Sequence, residues 1–232
     1  MTREEFVWVL ENDSAIQRLI SLVVRQEGLI PIACPEPAEL MRTIDSQQTG
    51  VVVFDVGFPA DDGLVLIANV KQTFGVPVLV ITAGGEEVAS RAVTSGADDF
   101  LPKPFDPDGL VDRLLFLLGR PLLAQEDGAD FEVGAGRLNT RARTLTVSGK
   151  QVLLSKTEWD ILSTLALGLG EPVLQSDLGR NAFTGALTRD PDYLKVWIDR
   201  IQTKLGCDPA NPRLLKPVHG IAYTLAGTRL PD

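Results

Sequence analysis

Six positions in the first half of the chain carry groups able to handle a phosphoryl group and a hard cation. Glu11, Asn12 and Asp13 are consecutive oxygen donors, Asp55 is a carboxylate at the end of an apolar run, Thr82 a hydroxyl at the end of another, and Lys103 a cation after a third. Carboxylates that converge can hold Mg²⁺, a hard ion that prefers oxygen ligands. An aspartate facing such a cation can accept a phosphoryl group, because the metal and a lysine neutralise the transferred oxygens. A threonine hydroxyl can then bond a new phosphoryl oxygen. Each residue alone has a plainer role. Asp13 or Ser14 fits the cap of the following helix, Lys103 a solvated cation, and Thr82 a strand end.

A second set of groups lies near the other end. Lys195, Arg200 and Lys204 share a predicted helix, and Arg213, Lys216 and His219 follow it. Cations at helical spacing can meet the phosphates of nucleic acid. Asp192 and Asp199 interrupt them, and Asp199 is placed to pair with Lys195 four residues earlier. His219 is the chain's single histidine, so sites built on several histidines are excluded. Its two cysteines, Cys34 and Cys207, lie far apart, which excludes a disulfide scaffold or a cysteine zinc site.

The elements that must position these groups fall into two sets. The length of 232 residues fits one or two domains at about 100–200 residues each. Residues 1–120 hold 18 acidic and 9 basic side chains, whereas residues 133–229 hold 8 and 13. Net charges of −9 and +5 follow, and such asymmetry points to two domains with different partners. The first half reads as five strand–helix units, with strands at Phe6–Leu10, Leu29–Ala33, Val51–Phe54, Val76–Thr82 and Asp99–Leu101. Unbroken apolar strands separated by helices predict a doubly wound parallel sheet, with ligands beyond its carboxyl ends. Residues 121–130 read as a linker. The second half opens with four short strands, then Ser155–Glu158 as a capping box before an apolar helix. Asp190-Pro191 starts a helix reaching Leu205, and Leu214–Val218 with Ile221–Leu225 reads as a terminal hairpin. No apolar run reaches membrane-spanning length. The N-terminus lacks the pattern of a signal peptide, so a cytoplasmic protein is expected.

Residues 1–120 resemble the receiver domain of two-component response regulators, through VVVFDVGFPADDG around Asp55, VLVITA at Thr82, and GADDFLPKPF with Lys103. The resemblance implies a five-stranded flavodoxin-like receiver. Asp55 would be the phospho-acceptor, Thr82 and Lys103 the phosphate-binding pair, and Phe100 the switch aromatic, which alternatively is a core residue. Mg²⁺ would sit on Glu11, Asn12, Asp55 and the Gly57 carbonyl. Asn12 stands where the family usually has a carboxylate, so a weakened metal site is expected. Residues 131–232 resemble the winged helix-turn-helix effector of the OmpR/PhoB family, through LSKTEWDIL, YLKVWIDRIQTKLG and PVHGIAYTL. That implies a four-stranded N-terminal sheet, a helix in the major groove of double-stranded DNA and a wing in the minor groove. DNA contacts are expected from Lys195, Arg200, Lys204, Arg213, Lys216 and His219, which stands at a usual arginine position. Arg91, Asp98, Asp99 and Arg113 resemble part of the family's charged homodimer face. The apolar run Leu114–Leu118 calls for burial beyond the receiver's own sheet, by a second receiver or by the linker or effector. The resulting expectation is a transcription regulator and not an enzyme, dimerising on phosphorylation by a sensor histidine kinase. Two other readings remain open: a phosphorylation-independent regulator with a permanently dimeric receiver, and a protein-interaction adaptor with weakened DNA binding.

Overall fold

Strands that are apolar at every position bury both faces, and a parallel sheet flanked by helices provides that environment. The computed structural model describes residues 4–44, 48–55, 60–119, 128–182, 191–207 and 213–231. In it β1 (Glu5–Leu10), β2 (Ile30–Cys34), β3 (Thr49–Asp55), β4 (Val78–Thr82) and β5 (Asp99–Pro102) form one parallel sheet in the order β2-β1-β3-β4-β5. The order reverses between β1 and β3, which leaves a crevice at their carboxyl ends. Register decides what gathers there. Leu10 lies beside Phe54, Asp55 beside Ile81, and Thr82 beside Pro102. Glu11, Asp55, Thr82 and Lys103 therefore emerge along one edge.

Five helices cover the sheet: α1 (Ser14–Gln26), α2 (Pro37–Thr43), α3 (Ala60–Phe74), α4 (Gly85–Thr94) and α5 (Pro107–Leu117). Val7, Val9, Val51, Val53, Leu79 and Ile81 of the sheet pack with Ile20, Val23 and Val24 of α1 and Leu110, Leu114 and Leu117 of α5. Each such side chain contributes roughly 1.5–3 kcal/mol when fully buried, before chain entropy is counted. Leu114 and Leu117 find their burial inside the receiver, while Leu115 and Leu118 stay half-buried. Gly50 has to be glycine. A Cβ there would collide with the Phe6 carbonyl and the Trp8 ring on the neighbouring strand.

The chain divides into two compact units, Met1–Leu118 and Gly119–Asp232. In the second, β6 (Asp130–Val133), β7 (Gly136–Asn139), β8 (Thr144–Val147) and β9 (Lys150–Val152) form an antiparallel meander. The first of these strands begins inside the stretch read as linker, and residues 121–127 of that stretch lie outside the described residues. The sheet has five strands rather than four, because β13 (Thr228–Arg229) returns to pair with β6. Next come α6 (Lys156–Leu167), β10 (Val173–Leu174), α7 (Gln175–Ala182), α8 (Pro191–Lys204), β11 (Leu215–Val218) and β12 (Ala222–Leu225). The capping box is present: Ser155 accepts from the Glu158 N–H, and Glu158 from the Ser155 N–H. Asp190, expected to cap α8, lies outside the described residues. The β11–β12 hairpin is joined by β10 into a three-stranded sheet, giving a winged helix-turn-helix. Among the described residues no helix is long and apolar enough to cross a membrane.

Candidate functional site: a lysine-bridged acidic pocket and a winged-helix face

Lys103 organises the receiver edge. Its Nζ lies 2.8 Å from Glu11 Oε2 and 2.9 Å from Asp55 Oδ2. The three side chains are 16%, 2% and 15% exposed, so solvent screens the pair little but still reaches Asp55. Burial alone would lower the Lys103 pKa; the hydrogen bonds to Glu11 and Asp55 more than reverse this and hold it above its ordinary value. The Lys103 N–H also donates to the Thr82 carbonyl at 2.8 Å, which ties the end of β5 to the end of β4. Thr82 Oγ1, buried, accepts from the Gly84 N–H at 2.9 Å. Its hydroxyl hydrogen is left for another acceptor.

Asp13 is withdrawn from this chemistry. Its carboxylate accepts from the N–H groups of Ala15 and Ile16 and caps α1, and those bonds hold its pKa below the usual carboxylate value. Glu11 Oε1 accepts from the Asp13 N–H at 2.9 Å. Asn12 is exposed in the turn between them. Gly57 lies outside the described residues. Among the described residues no group of three or more His, Cys, Asp or Glu comes together as a metal site. By residue type, Glu11, Asp55 and the neutral Asn12 amide offer only oxygen donors, chemically fit for a hard divalent cation but one charge short of three carboxylates. Phe100 is fully buried, with the Arg113 guanidinium 5.8 Å from its ring centre.

In the second unit the residues on α8 divide by face. Leu194, Trp197, Ile198, Ile201 and Leu205 are buried, while Lys195 and Thr203 are exposed. Lys195 Nζ pairs with Asp199 Oδ2 at 3.0 Å, the pairing the spacing predicted. Arg200 stacks over the Trp197 ring at 5.3 Å. Lys204 is turned inward. Its Nζ bonds Glu158 Oε2 at 2.5 Å and the Leu153 carbonyl at 2.9 Å. Glu158 is 1% exposed, and desolvation raises its pKa despite the opposing pull of Lys204. Arg213, Lys216 and His219 are exposed. His219 and Gly220 both take positive φ, 50° and 70°, at the hairpin tip, as a type I′ turn requires. Gln175 steadies that tip: its N–H donates to the Ile221 carbonyl and its side-chain amide to the Gly220 carbonyl.

These two arrangements match known families in sequence. Residues 7–115 match the response regulator receiver domain, and residues 149–225 the C-terminal domain of transcriptional regulatory proteins. Protein PetR of Rhodobacter capsulatus is 30% identical over 225 residues, covering 94% of this chain and 95% of PetR. The transcriptional regulatory protein KdpE of Mycobacterium tuberculosis is 26% identical over 219 residues, covering 94% and 97%. The chain belongs to the OmpR/PhoB family of response regulators. Among solved structures, the response regulator DrrB, an OmpR/PhoB homologue from Thermotoga maritima, is 25% identical, with 97% of this chain and all of that one covered at a TM-score of 0.48.

In this two-component transcriptional regulator of the OmpR/PhoB family, two sets of the expected site residues make intramolecular contacts. Of the four residues assigned to a dimer face, only Arg91 is exposed. Asp99 is fully buried and pairs with buried Arg113 at 3.3 Å, while Asp98 accepts from Lys71 Nζ at 2.8 Å and from the Val78 N–H at 2.7 Å. Asp98, Asp99 and Arg113 therefore form ion pairs inside one receiver. Lys204, expected among the DNA contacts, anchors the buried Glu158 carboxylate and is half-buried. Nothing local signals it, because Glu158 stands 46 residues earlier.

Proposed function

We propose that Asp55 accepts a phosphoryl group from the phosphohistidine of a sensor kinase and that this shifts the regulator toward a dimer binding double-stranded DNA. In the transfer the P–N bond of the donor breaks and a P–O bond to an Asp55 carboxylate oxygen forms. The Lys103 ammonium, already 2.9 Å from Asp55 Oδ2, supports this reading most directly. It would exchange its contact with the free carboxylate for one with the phosphoryl oxygens. The Thr82 hydroxyl would donate to another of them, loosening its tie to Gly84. Mg²⁺, held by Asp55, Glu11, the Asn12 amide oxygen and the Gly57 carbonyl, would neutralise charge on the transferred group. With Asn12 neutral, that ion binds more weakly than at three carboxylates. The output is a population shift between two receiver states.

On the effector side α8 would enter the major groove, with Lys195 and Arg200 outward, and the β11–β12 wing would reach the flanking minor groove with Lys216 and His219. Arg213 would meet a phosphate. Incubation of the full chain with a small phosphodonor and Mg²⁺, followed by intact mass and light scattering, tests the switch. The expected result is a gain of one phosphoryl group and a rise in dimer fraction, both abolished in Asp55→Asn. No mass gain across a wide range of Mg²⁺ would show a receiver that works without phosphate.

A further inference from the structure

A helix that only sought phosphate would gain nothing from an acidic residue on its outward face, yet α8 carries Asp199 there. Lys195, Asp199 and Thr203 are spaced four residues apart and share one stripe away from the core. Lys195 and Asp199 are 64% and 39% exposed in their side chains, and their charged atoms lie 3.0 Å apart. Thr203 Oγ1 donates back to the Asp199 carbonyl at 2.9 Å, so its polar end is turned into the helix. The ammonium and carboxylate are left as neighbouring outward groups. Helix stability gives little reason for the pair, since exposed pairs at this spacing contribute only about 0.3–0.5 kcal/mol.

The geometry points to Lys195 and Asp199 as one base-reading unit that selects a G·C pair, the lysine addressing guanine and the aspartate cytosine. In the major groove guanine presents two acceptors, N7 and O6, and cytosine next to them presents the N4 amino donor. A donor held beside an acceptor matches that order: the ammonium spans N7 and O6, and the carboxylate takes the N4 hydrogen. An A·T pair presents acceptor, donor, acceptor. There the ammonium meets the N6 amino group, and the carboxylate meets thymine O4 and its methyl. The aspartate also weakens binding to any sequence, because its charge faces phosphates. Only a correctly placed cytosine offsets that cost. It pre-orients the lysine as well, so less side-chain freedom is lost on docking. The inference rests on α8 entering the major groove.

Selection of the full chain on a randomised pool of double-stranded DNA at fixed salt tests it, with Lys195→Ala, Asp199→Ala and Asp199→Asn beside the wild type. The wild type should enrich a G·C pair at one fixed position of each half-site. Asp199→Ala should lose about tenfold of that preference while binding unselected DNA more tightly. Asp199→Asn, alike in shape, should move the same position toward A·T, because an amide pairs with adenine N6 and N7. It keeps the test decisive if the alanine variant folds poorly. Variants that enrich the wild-type sequence, with affinity changed equally for all DNA, would overturn the inference while leaving the DNA-binding reading intact. A wild type that enriches no sequence would overturn both.

Discussion

Lysine does opposite work in the two halves of this regulator. Lys103 is enclosed and bonded to two carboxylates that lie 92 and 48 residues away in sequence. Lys195 stands in solvent beside a carboxylate four residues on. The first geometry exists only when β1, β3, β4 and β5 are in register, whereas the second follows from one helical turn. A site assembled by topology is rigid and pre-charged, suited to chemistry on one oxygen atom. A surface encoded locally is sparse and adjustable, suited to meeting a long polyanion. The charge asymmetry between the halves reflects this division.

The comparison is tested most sharply by removing each lysine in turn. Lys103→Met strands the buried Glu11 carboxylate beside Asp55, and breaking a buried pair by removing one partner costs about 3–5 kcal/mol. Solvent at Asp55 places the expected loss near the lower end, about 3 kcal/mol. Lys195→Met should stay within about 0.5 kcal/mol of the wild type. Hydrogen exchange reads both: protection in β1 and β3 should fall strongly in the first variant, and protection in α8 should hardly change in the second. Equal effects would erase the distinction drawn here.

Lys204 crosses the divide, a buried-type lysine within the effector. Lys204→Met should lower protection in α6 and α8 by about 2 kcal/mol, because among the described residues the Ser155 N–H is then the hydrogen bond left to the Glu158 carboxylate. The salt dependence of DNA binding by the folded fraction should stay unchanged. Lys216→Ala should do the reverse, leaving stability alone and reducing the salt slope by about 0.9. A Lys204 variant with a shallower slope would return that residue to the DNA contacts.

What the sequence could disclose follows the same line. Strand ends were legible from apolar runs, and a parallel sheet then forces Glu11, Asp55, Thr82 and Lys103 to one edge. The capping box at Ser155 and the Lys195–Asp199 pair were legible because both are local. Glu158 was legible as a cap and not as the partner of Lys204, since no local pattern connects them. The exposure of Arg91 and the burial of Asp99 and Arg113 were equally silent: a charge on a strand end reads as surface until the packing of α5 is known. The two-residue strands β10 and β13 carry too few side chains to leave any period, and they are defined only by the strands they join.

The titration of two groups separates the units by pH. Lys103 has its folded pKa raised above 10.5, so its contribution is complete below that value and is lost as pH rises through the raised one. Receiver protection should therefore decline in alkali, and Lys103→Met should remove that decline. Glu158 has its folded pKa raised above 4.5, so its contribution is fully present below 4.5 and is lost as pH rises through the folded value. The corresponding change in the effector sets in as pH rises past 4.5, and Glu158→Gln should flatten it. A loss of protection in α6 and α8 with rising pH that Glu158→Gln leaves unchanged, or an alkaline decline in β3 that survives Lys103→Met, would contradict these assignments.

The smallest effect on stability is expected at the wing tip. His219 is exposed, makes no contribution to the core, and already occupies a positive-φ turn position. Histidine tolerates positive φ somewhat better than arginine, so His219→Arg should destabilise, by no more than about 0.5 kcal/mol at this exposed site. DNA binding should change measurably, because a permanent guanidinium cation replaces an imidazole at the exposed tip. One additional phosphate contact steepens the salt slope by about 0.9. Gln175 holds the turn through Gly220 and Ile221, so the new cation would be presented from a fixed tip. Gln175→Ala in the same background should return part of that gain. A slope unmoved by His219→Arg would place the wing away from the phosphates and leave α8 to carry the recognition alone.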